Sequence, residues 1–306
     1  MPGRRRRHTR SSCLTRLFSL LVPLVLSLAL GVLAGGYILW RWSATRPRTN
    51  VLILGLDRRP EEGYVVRSDT MILASFYPPG PAVTMLSIPR DLYVEIPGYG
   101  SNRINTAHFW GESEFEGGGP ALAVRTILLN FGVPVHHYIR VDFEAFRALV
   151  DAVGGIDVNV EAPIVDEAYP TEDYGTMRIE ISAGLQHMNG ETALRYARTR
   201  HGSSDFDRIA RQQEVVMALA SRLLKPAVWP RLPLVYHAVR QYVDTDMSDG
   251  DMLLLAITLY RLGVDKIECR AIDREMTRSW TTPEGGSVLL PRWEAIQPLI
   301  QELFTP

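Results

Sequence analysis

Leu17 to Trp40 runs 24 residues without a charged side chain and is rich in Leu and Val. No other feature limits the fold as sharply, because about 20 apolar residues in a helix cross the hydrocarbon core of a bilayer. Pro23, Gly31, Gly35 and Gly36 are tolerable in such a helix. A cleaved signal peptide competes with this reading, but its apolar core is shorter, about 7–15 residues. Trp40, Arg41 and Trp42 read as an interface anchor rather than a cleavage site. Six Arg precede the stretch and three follow it closely, so the positive-inside bias puts the N-terminus in the cytoplasm. The expected layout is a cytoplasmic Arg-rich tail (1–16), a transmembrane anchor (17–40), a tether (41–49) and a domain outside the cell membrane, which the chain crosses once.

Charge supports that division. The 306 residues carry 33 basic and 34 acidic groups, a formal net charge of −1. Residues 1–50 hold nine Arg and no acid, which leaves 24 basic and 34 acidic groups beyond, a net −10. An acidic domain offers a poor footprint to nucleic acid, whose phosphates require a basic face. Only two Cys occur, Cys13 and Cys269, on opposite sides of the expected membrane. No disulfide between them is possible, so a hydrophobic core must stabilise the domain.

Past the tether, Asn50–Leu56, Thr70–Phe76 and Ala82–Ile88 are short apolar runs bounded by Pro, Gly or Asp, and Leu92–Ile96 adds a fourth. These are strand patterns. Helical spacing marks Pro120–Asn130, Asp142–Val153, Asn189–Tyr196, Asp207–Leu224, Leu232–Val243 and Met252–Leu262. Strands are expected again at His137–Val141, Ile156–Val160, Arg178–Ile181 and Ile267–Ile272. Strands alternating with helices predict a three-layer α/β/α domain with a mixed central sheet.

Several catalytic signatures are absent: G-x-S-x-G, H-E-x-x-H, G-x-x-x-x-G-K-[ST] and G-x-G-x-x-G. His136 and His137 are adjacent in a strand and point to opposite faces. The Asp244, Asp246, Asp249 and Asp251 cluster lacks the glycine position and final Glu of a calcium loop and reads as a helix entry. What stands out is a set of Asp and Arg at the ends of apolar runs. Asp57 closes the first, Arg67 and Asp69 open the second, and Arg90 and Asp91 follow the third. Arg198 and Arg200 follow a short helix; Asp205, Arg208, Arg211 and Gln212 open a longer one. Carboxylates at strand ends can share Mg²⁺, and converging Arg forks grip phosphate or pyrophosphate. Each residue alone also reads as a cap or a surface ion pair. Their recurrence at strand ends favours one site for phosphoryl transfer, where catalysis is mainly positioning and charge stabilisation.

The blocks NVLILGLDRR (50–59), RSDTMILASF (67–76), SIPRDLYVEIPG (87–98), RINTAHFWG (103–111), VDAVGGIDVNV (150–160), AGLQHMNGETALRYARTR (183–200) and DFDRIARQQE (205–214) resemble, in order and spacing, the LytR-CpsA-Psr family of cell-envelope proteins. The resemblance implies a catalytic domain over 50–224, with 225–306 completing the same domain. It implies a phosphotransferase that moves a phosphosugar-linked glycopolymer from a polyprenyl-pyrophosphate carrier to a cell-wall glycan hydroxyl. By the same resemblance Asp57 and Asp69 would hold Mg²⁺, and Arg67, Arg90, Arg103, Arg198, Arg200, Arg208 and Gln212 the pyrophosphate. Arg90, Asp205 and Arg208 would be catalytic, with Asp205, or Arg90 and its neighbours, as candidates for the general base on the acceptor hydroxyl. Arg103 replaces the family's usual Lys with a planar fork, and Asp207 replaces a usual Gly. The family also implies an apolar tunnel for the lipid; Leu122, Val124, Ile127, Leu128, Phe143 and Phe146 fit either its lining or plain core. Two other functions compete: a membrane-tethered transcriptional attenuator, against which a cytoplasmic tail of about 16 residues with no helix-turn-helix speaks, and a pyrophosphatase that would use the same site to hydrolyse the lipid carrier.

Overall fold

The computed structural model describes residues 30–31, 33–42, 44–45, 47–59, 62–77, 83–199 and 205–305. The chain divides into two units, residues 1–45 and 46–306. In the first, residues 30–31 and 33–42 are helical. Among the described residues no helix is long and apolar enough to cross a membrane. Most of the expected anchor, 17–29, lies outside them, as does the tail 1–16.

The second unit begins with β1 (Thr49–Leu56), β2 (Ser68–Phe76), β3 (Val83–Ser87), β4 (Tyr93–Ile96) and β5 (Gly100–Arg103). Helices α1 (Thr106–Glu114) and α2 (Gly118–Phe131) come after these, then β6 (His137–Val141), α3 (Phe143–Ala152) and β7 (Ile156–Val160). Next come β8 (Ile164–Pro170), β9 (Thr176–Ile181), β10 (Gly184–Met188), α4 (Gly190–Arg198) and α5 (Asp205–Leu224). The remainder comprises α6 (Leu232–Tyr242), β11 (Asp244–Thr245), α7 (Asp249–Leu262), β12 (Ile267–Ala271), β13 (Thr277–Thr281), β14 (Ser287–Pro291) and α8 (Trp293–Phe304).

The central sheet has the order β11-β6-β1-β2-β3-β12. It is mixed: β1 is parallel to β6 and antiparallel to β2, while β3 is antiparallel to β2 and parallel to β12. Its middle strands are apolar on both faces, as strands sandwiched between helices must be. Leu52, Leu54, Met71, Leu73 and Leu86 point to one side, into a core completed by Ala123 and Ile127 of α2 and Ile296, Ile300 and Leu303 of α8. The alternate residues Ile72, Ala74 and Met85, with Ile53, point to the other and meet Val216 and Met217 of α5. Helices therefore cover both faces. A second core joins α3, β7, β10, α4 and α5 through Val150, Ile156, Met188, Tyr196 and Val215.

Segments 142–153 and 189–196 fold as helices whose starts are fixed by Asp142 and Asn189, each accepting from a backbone N–H three residues on. Outside the sequence-based expectation lie α1, the short strands β5, β8, β10 and β11, the β13–β14 hairpin and α8. Leu122 and Ile127 are fully buried core, Phe146 packs into the second core, and Leu128 is half exposed. Those positions of the tunnel reading are core and surface.

Topology decides where the polar residues gather. The C-terminal ends of β1, β3, β6 and β12 lie at one edge of the sheet, together with the N-terminal end of antiparallel β2. Asp57, Asp69, Arg90 and Arg274 all follow or open strands at that edge. It is the usual place for ligands in open α/β sheets.

Candidate active site

Gly55 pairs with Thr70 across β1 and β2, and a Cβ on Gly55 would lie 2.8 Å from the Cβ of Thr70. Only glycine permits that approach. The register slips between Gly55 and Leu56, which turns the strand and re-aims the side chains at its end. Asp57 stands just beyond, 3.6 Å from Nη2 of Arg198. The Arg198 guanidinium lies 4.0 Å above the Phe143 ring and donates to the Tyr169 hydroxyl at 3.3 Å. Phe143 thus serves as a platform for Arg198.

Arg90 is the hub. Its Nη1 donates to Asp69 Oδ2 at 2.9 Å, and its Nε lies 3.4 Å from Asp205 Oδ2 and 3.6 Å from Asp91 Oδ2. Burial works against its charge, but Asp69, Asp205 and Asp91 together hold the guanidinium above its ordinary pKa. Asp205 also accepts from the buried Arg208 at 3.1 Å, the pair lying three residues apart on α5. Gln212 comes one turn after Arg208 on that face and is half-buried. Arg103 Nε lies 3.3 Å from Asp91 Oδ1, and the same fork donates twice to the Ser287 carbonyl, at 3.2 and 2.8 Å.

Two cavities open on this network. The first, about 480 Å³, is lined by Asp57, Arg67, Asp69, Arg90, Asp91 and Arg103, with Arg59 and Glu62 at its edge. The second, about 560 Å³, shares Arg90, Asp91 and Arg103 and is closed by Asp205, Phe206, Arg274 and the β13–β14 hairpin. The structure thus brings together Asp57, Arg67, Asp69, Arg90, Arg103, Asp205 and Arg208, by direct contact or a shared cavity. Arg198 joins through Asp57. Arg200 lies outside the described residues.

Asn105 does not stand out from the sequence residue by residue. Its Nδ2 donates to Asp69 Oδ1 at 3.4 Å, its carbonyl accepts from Ser68 N, and its N–H donates to the Arg90 carbonyl, both at 3.3 Å. It ties the segment bearing Arg67 and Asp69 to the one bearing Arg90. Its position inside the RINTAHFWG block is the only signal.

Among the described residues no group of three or more His, Cys, Asp or Glu is gathered to hold a metal. Mg²⁺ commonly takes only one or two carboxylates and completes its shell with substrate phosphate and water. Asp57 and Asp69 lie in one cavity with Arg67, Arg90 and Arg103, hard oxygen donors beside phosphate-binding forks. This donor set fits Mg²⁺ arriving with a phosphorylated ligand.

The sequence profile of the LytR_cpsA_psr family matches residues 40–296. The polyisoprenyl-teichoic acid–peptidoglycan teichoic acid transferase TagU of Oceanobacillus iheyensis is 37% identical over 213 residues, 69% of this chain and 62% of that protein. The regulatory protein MsrR of Staphylococcus aureus (strain COL) is 31% identical over 206 residues, 66% of this chain and 58% of that protein. The matched region thus spans about six tenths of these curated relatives. Among solved structures, Bacillus subtilis TagV superposes with a TM-score of 0.69 at 26% identity, covering 86% of this chain and 100% of that one. With that profile matching residues 40–296 and the fold superposing on TagV, the chain belongs to the LytR_cpsA_psr family.

Proposed function

We propose that the protein is a Mg²⁺-assisted phosphotransferase acting outside the cell membrane, to which its 17–40 segment anchors it. It would move a phosphosugar-linked glycopolymer from a polyprenyl-pyrophosphate carrier to a glycan hydroxyl of the cell wall. The observation that carries this reading is Arg90, held against three carboxylates at the wall between two cavities. One cavity has the chemistry of a cation and pyrophosphate site, and the other leaves room for a second substrate. The name of TagU supports a teichoic-acid-type polymer as donor and peptidoglycan as acceptor.

In the proposed step the acceptor oxygen bonds to the phosphorus that carries the sugar. The bond from that phosphorus to the bridging oxygen breaks, and its electron pair leaves with polyprenyl phosphate. The hydroxyl proton passes to a carboxylate, for which Asp205 and Asp91 are the two lining the second cavity. Arg67, Arg90 and Arg103, with Arg198, Arg200, Arg208 and Gln212, would orient the pyrophosphate and stabilise the charge that builds on its oxygens. When bound by Asp57 and Asp69, Mg²⁺ supplies further charge neutralisation on the pyrophosphate. A purely regulatory role, which the name of MsrR carries, would not require two cavities of this chemistry.

The test uses the full chain in detergent with a polyprenyl-pyrophosphate-linked saccharide, peptidoglycan fragments and Mg²⁺. Arg90→Ala is expected to lower kcat for transfer by about 10²–10³-fold, the usual loss when a group stabilising transition-state charge is removed. Arg90→Lys should recover little, because one ammonium cannot face three carboxylates as a fork does. Transfer at the wild-type rate by Arg90→Ala would overturn the assignment.

A further inference from the structure

We infer that the second cavity is the acceptor subsite, and that the hydroxyl-bearing face of the β13–β14 hairpin binds the sugar supplying the attacking oxygen. This rests on the transferase reading above and assigns its second substrate a place.

The linings of the two cavities differ in kind. The first is dominated by Arg and carboxylate side chains and contains no Ser or Thr. The second carries three short hydroxyls, Thr277, Ser279 and Ser287, with Arg274, Asp91 and Asp205. Short hydroxyls, a carboxylate and a guanidinium are the donors and acceptors that meet sugar hydroxyls. A volume of about 560 Å³ is in the range of preformed small-molecule sites, roughly 300–1,000 Å³.

Strand register explains the hydroxyl face. Ser279 pairs with Leu289, Thr277 with Pro291 and Thr281 with Ser287. Alternate residues of a strand share a face, so Thr277, Ser279 and Ser287 stand together on one face of the hairpin, and all three line the cavity, with Val288 beside them. Arg278 is exposed and is not among the residues that line the cavity.

The hairpin is fastened to the site itself. Leu289 N–H donates to the Asp91 carbonyl at 2.9 Å, Leu92 and Leu289 form a parallel bridge, and Arg103 donates to the Ser287 carbonyl. Its hydroxyls are therefore held at a fixed distance from Arg90 and Asp91, as a positioned attack requires. The placement also suits the reaction. Attacking and leaving oxygens lie roughly in line on opposite sides of the phosphorus, and the two cavities meet at the shared Arg90, Asp91 and Arg103. A lipid phosphate leaving into the first cavity is opposed by an acceptor arriving from the second.

The test measures steady-state transfer by the full chain with peptidoglycan glycan fragments as the varied acceptor. Ser279→Trp, which fills the cavity from an exposed position, and Arg274→Ala are each expected to raise the acceptor KM about tenfold or more while the donor KM moves less than about twofold. Arg278→Ala, outside the cavity lining, should move neither. A rise in donor KM instead would mean that the cavity holds the donor's own glycan, and an unchanged acceptor KM would mean that it holds neither; both overturn the inference. If the wild-type chain releases polyprenyl phosphate but forms no product with any acceptor, the transferase reading fails. Direct binding of the same fragments then decides the subsite: loss of binding in Ser279→Trp supports it, and unchanged binding overturns it.

Discussion

His108 lines neither cavity, yet it contacts a residue, Val66, that lines one of them. The ring is fully buried, and its Nδ1 lies 2.7 Å from the Val66 carbonyl, the residue before Arg67. A carbonyl only accepts, so Nδ1 carries the proton and Nε2 is left to face Arg140 Nη1 at 3.4 Å. Arg140 is held in turn by Glu112 at 3.0 Å and Asp244 at 2.7 Å. Burial foremost, and the charge of Arg140, push the His108 pKa below its ordinary value against the opposing pull of Val66, Glu112 and Asp244. Such a ring binds more protons unfolded than folded. The stability it supports is therefore complete above the unfolded pKa of about 6.5 and is lost as pH falls below it. His108→Gln should flatten the decline of Tm between about pH 7.5 and pH 5.5, whatever its effect on Tm itself. Equal slopes for the two proteins would show that His108 contributes nothing to the acid sensitivity. At this scale, acids and arginines at strand ends are legible in the sequence because position and chemistry coincide. Asn105, His108 and Arg140 are not, because a polar residue in a helix or strand reads as solvent-facing until the fold shows it buried.

At the scale of elements, the Gly117-Gly118-Gly119 run shows why boundaries escape a sequence reading. A glycine run predicts a loop, with the next helix expected only from Pro120. Instead α2 starts at Gly118, after Gly117 at φ +81°, and its first turn lies directly on α1. A Cβ on Gly111 would overlap the Gly118 carbonyl oxygen, and a Cβ on Gly118 would overlap that of Gly111. A Cβ on Gly119 would meet the His108 ring and the Glu112 carboxylate at 2.8 Å. The glycines serve packing rather than flexibility. Gly111→Ala must separate the two helices, which should cost about 1–3 kcal/mol in urea unfolding. An unchanged midpoint would show that the contact relaxes freely. The β13–β14 hairpin and α8 escape for other reasons. The hairpin is short, with only Val288 and Thr277 buried, so its alternation resembles a polar loop. Pro298 interrupts the pattern of α8, although Ile296, Leu299, Ile300 and Leu303 bury a complete face.

At the scale of the whole molecule, the mixed sheet explains how residues as distant in sequence as Asp69 and Asp205 come to share one arginine. Parallel and antiparallel strands bring C-terminal and N-terminal strand ends to a single edge, and α5 delivers Asp205 and Arg208 from the face it covers. The charge pattern takes on meaning at this level. A domain of net −10 gathers Arg67, Arg90, Arg103, Arg198 and Arg208 at one end of its sheet, around Asp57, Asp69, Asp91 and Asp205, a local concentration of basic groups that the proposed function takes as its phosphate site. The proposed function requires phosphorus to move from the bridging oxygen to an acceptor hydroxyl oxygen rather than to the oxygen of water. The most direct measurement counts both products of the full chain with Mg²⁺, a polyprenyl-pyrophosphate-linked saccharide and peptidoglycan fragments. The prediction is one acceptor phosphodiester formed for each polyprenyl monophosphate released, with both lost on chelation of the cation. Release of polyprenyl monophosphate without the phosphodiester would make the protein a hydrolase and contradict the central claim.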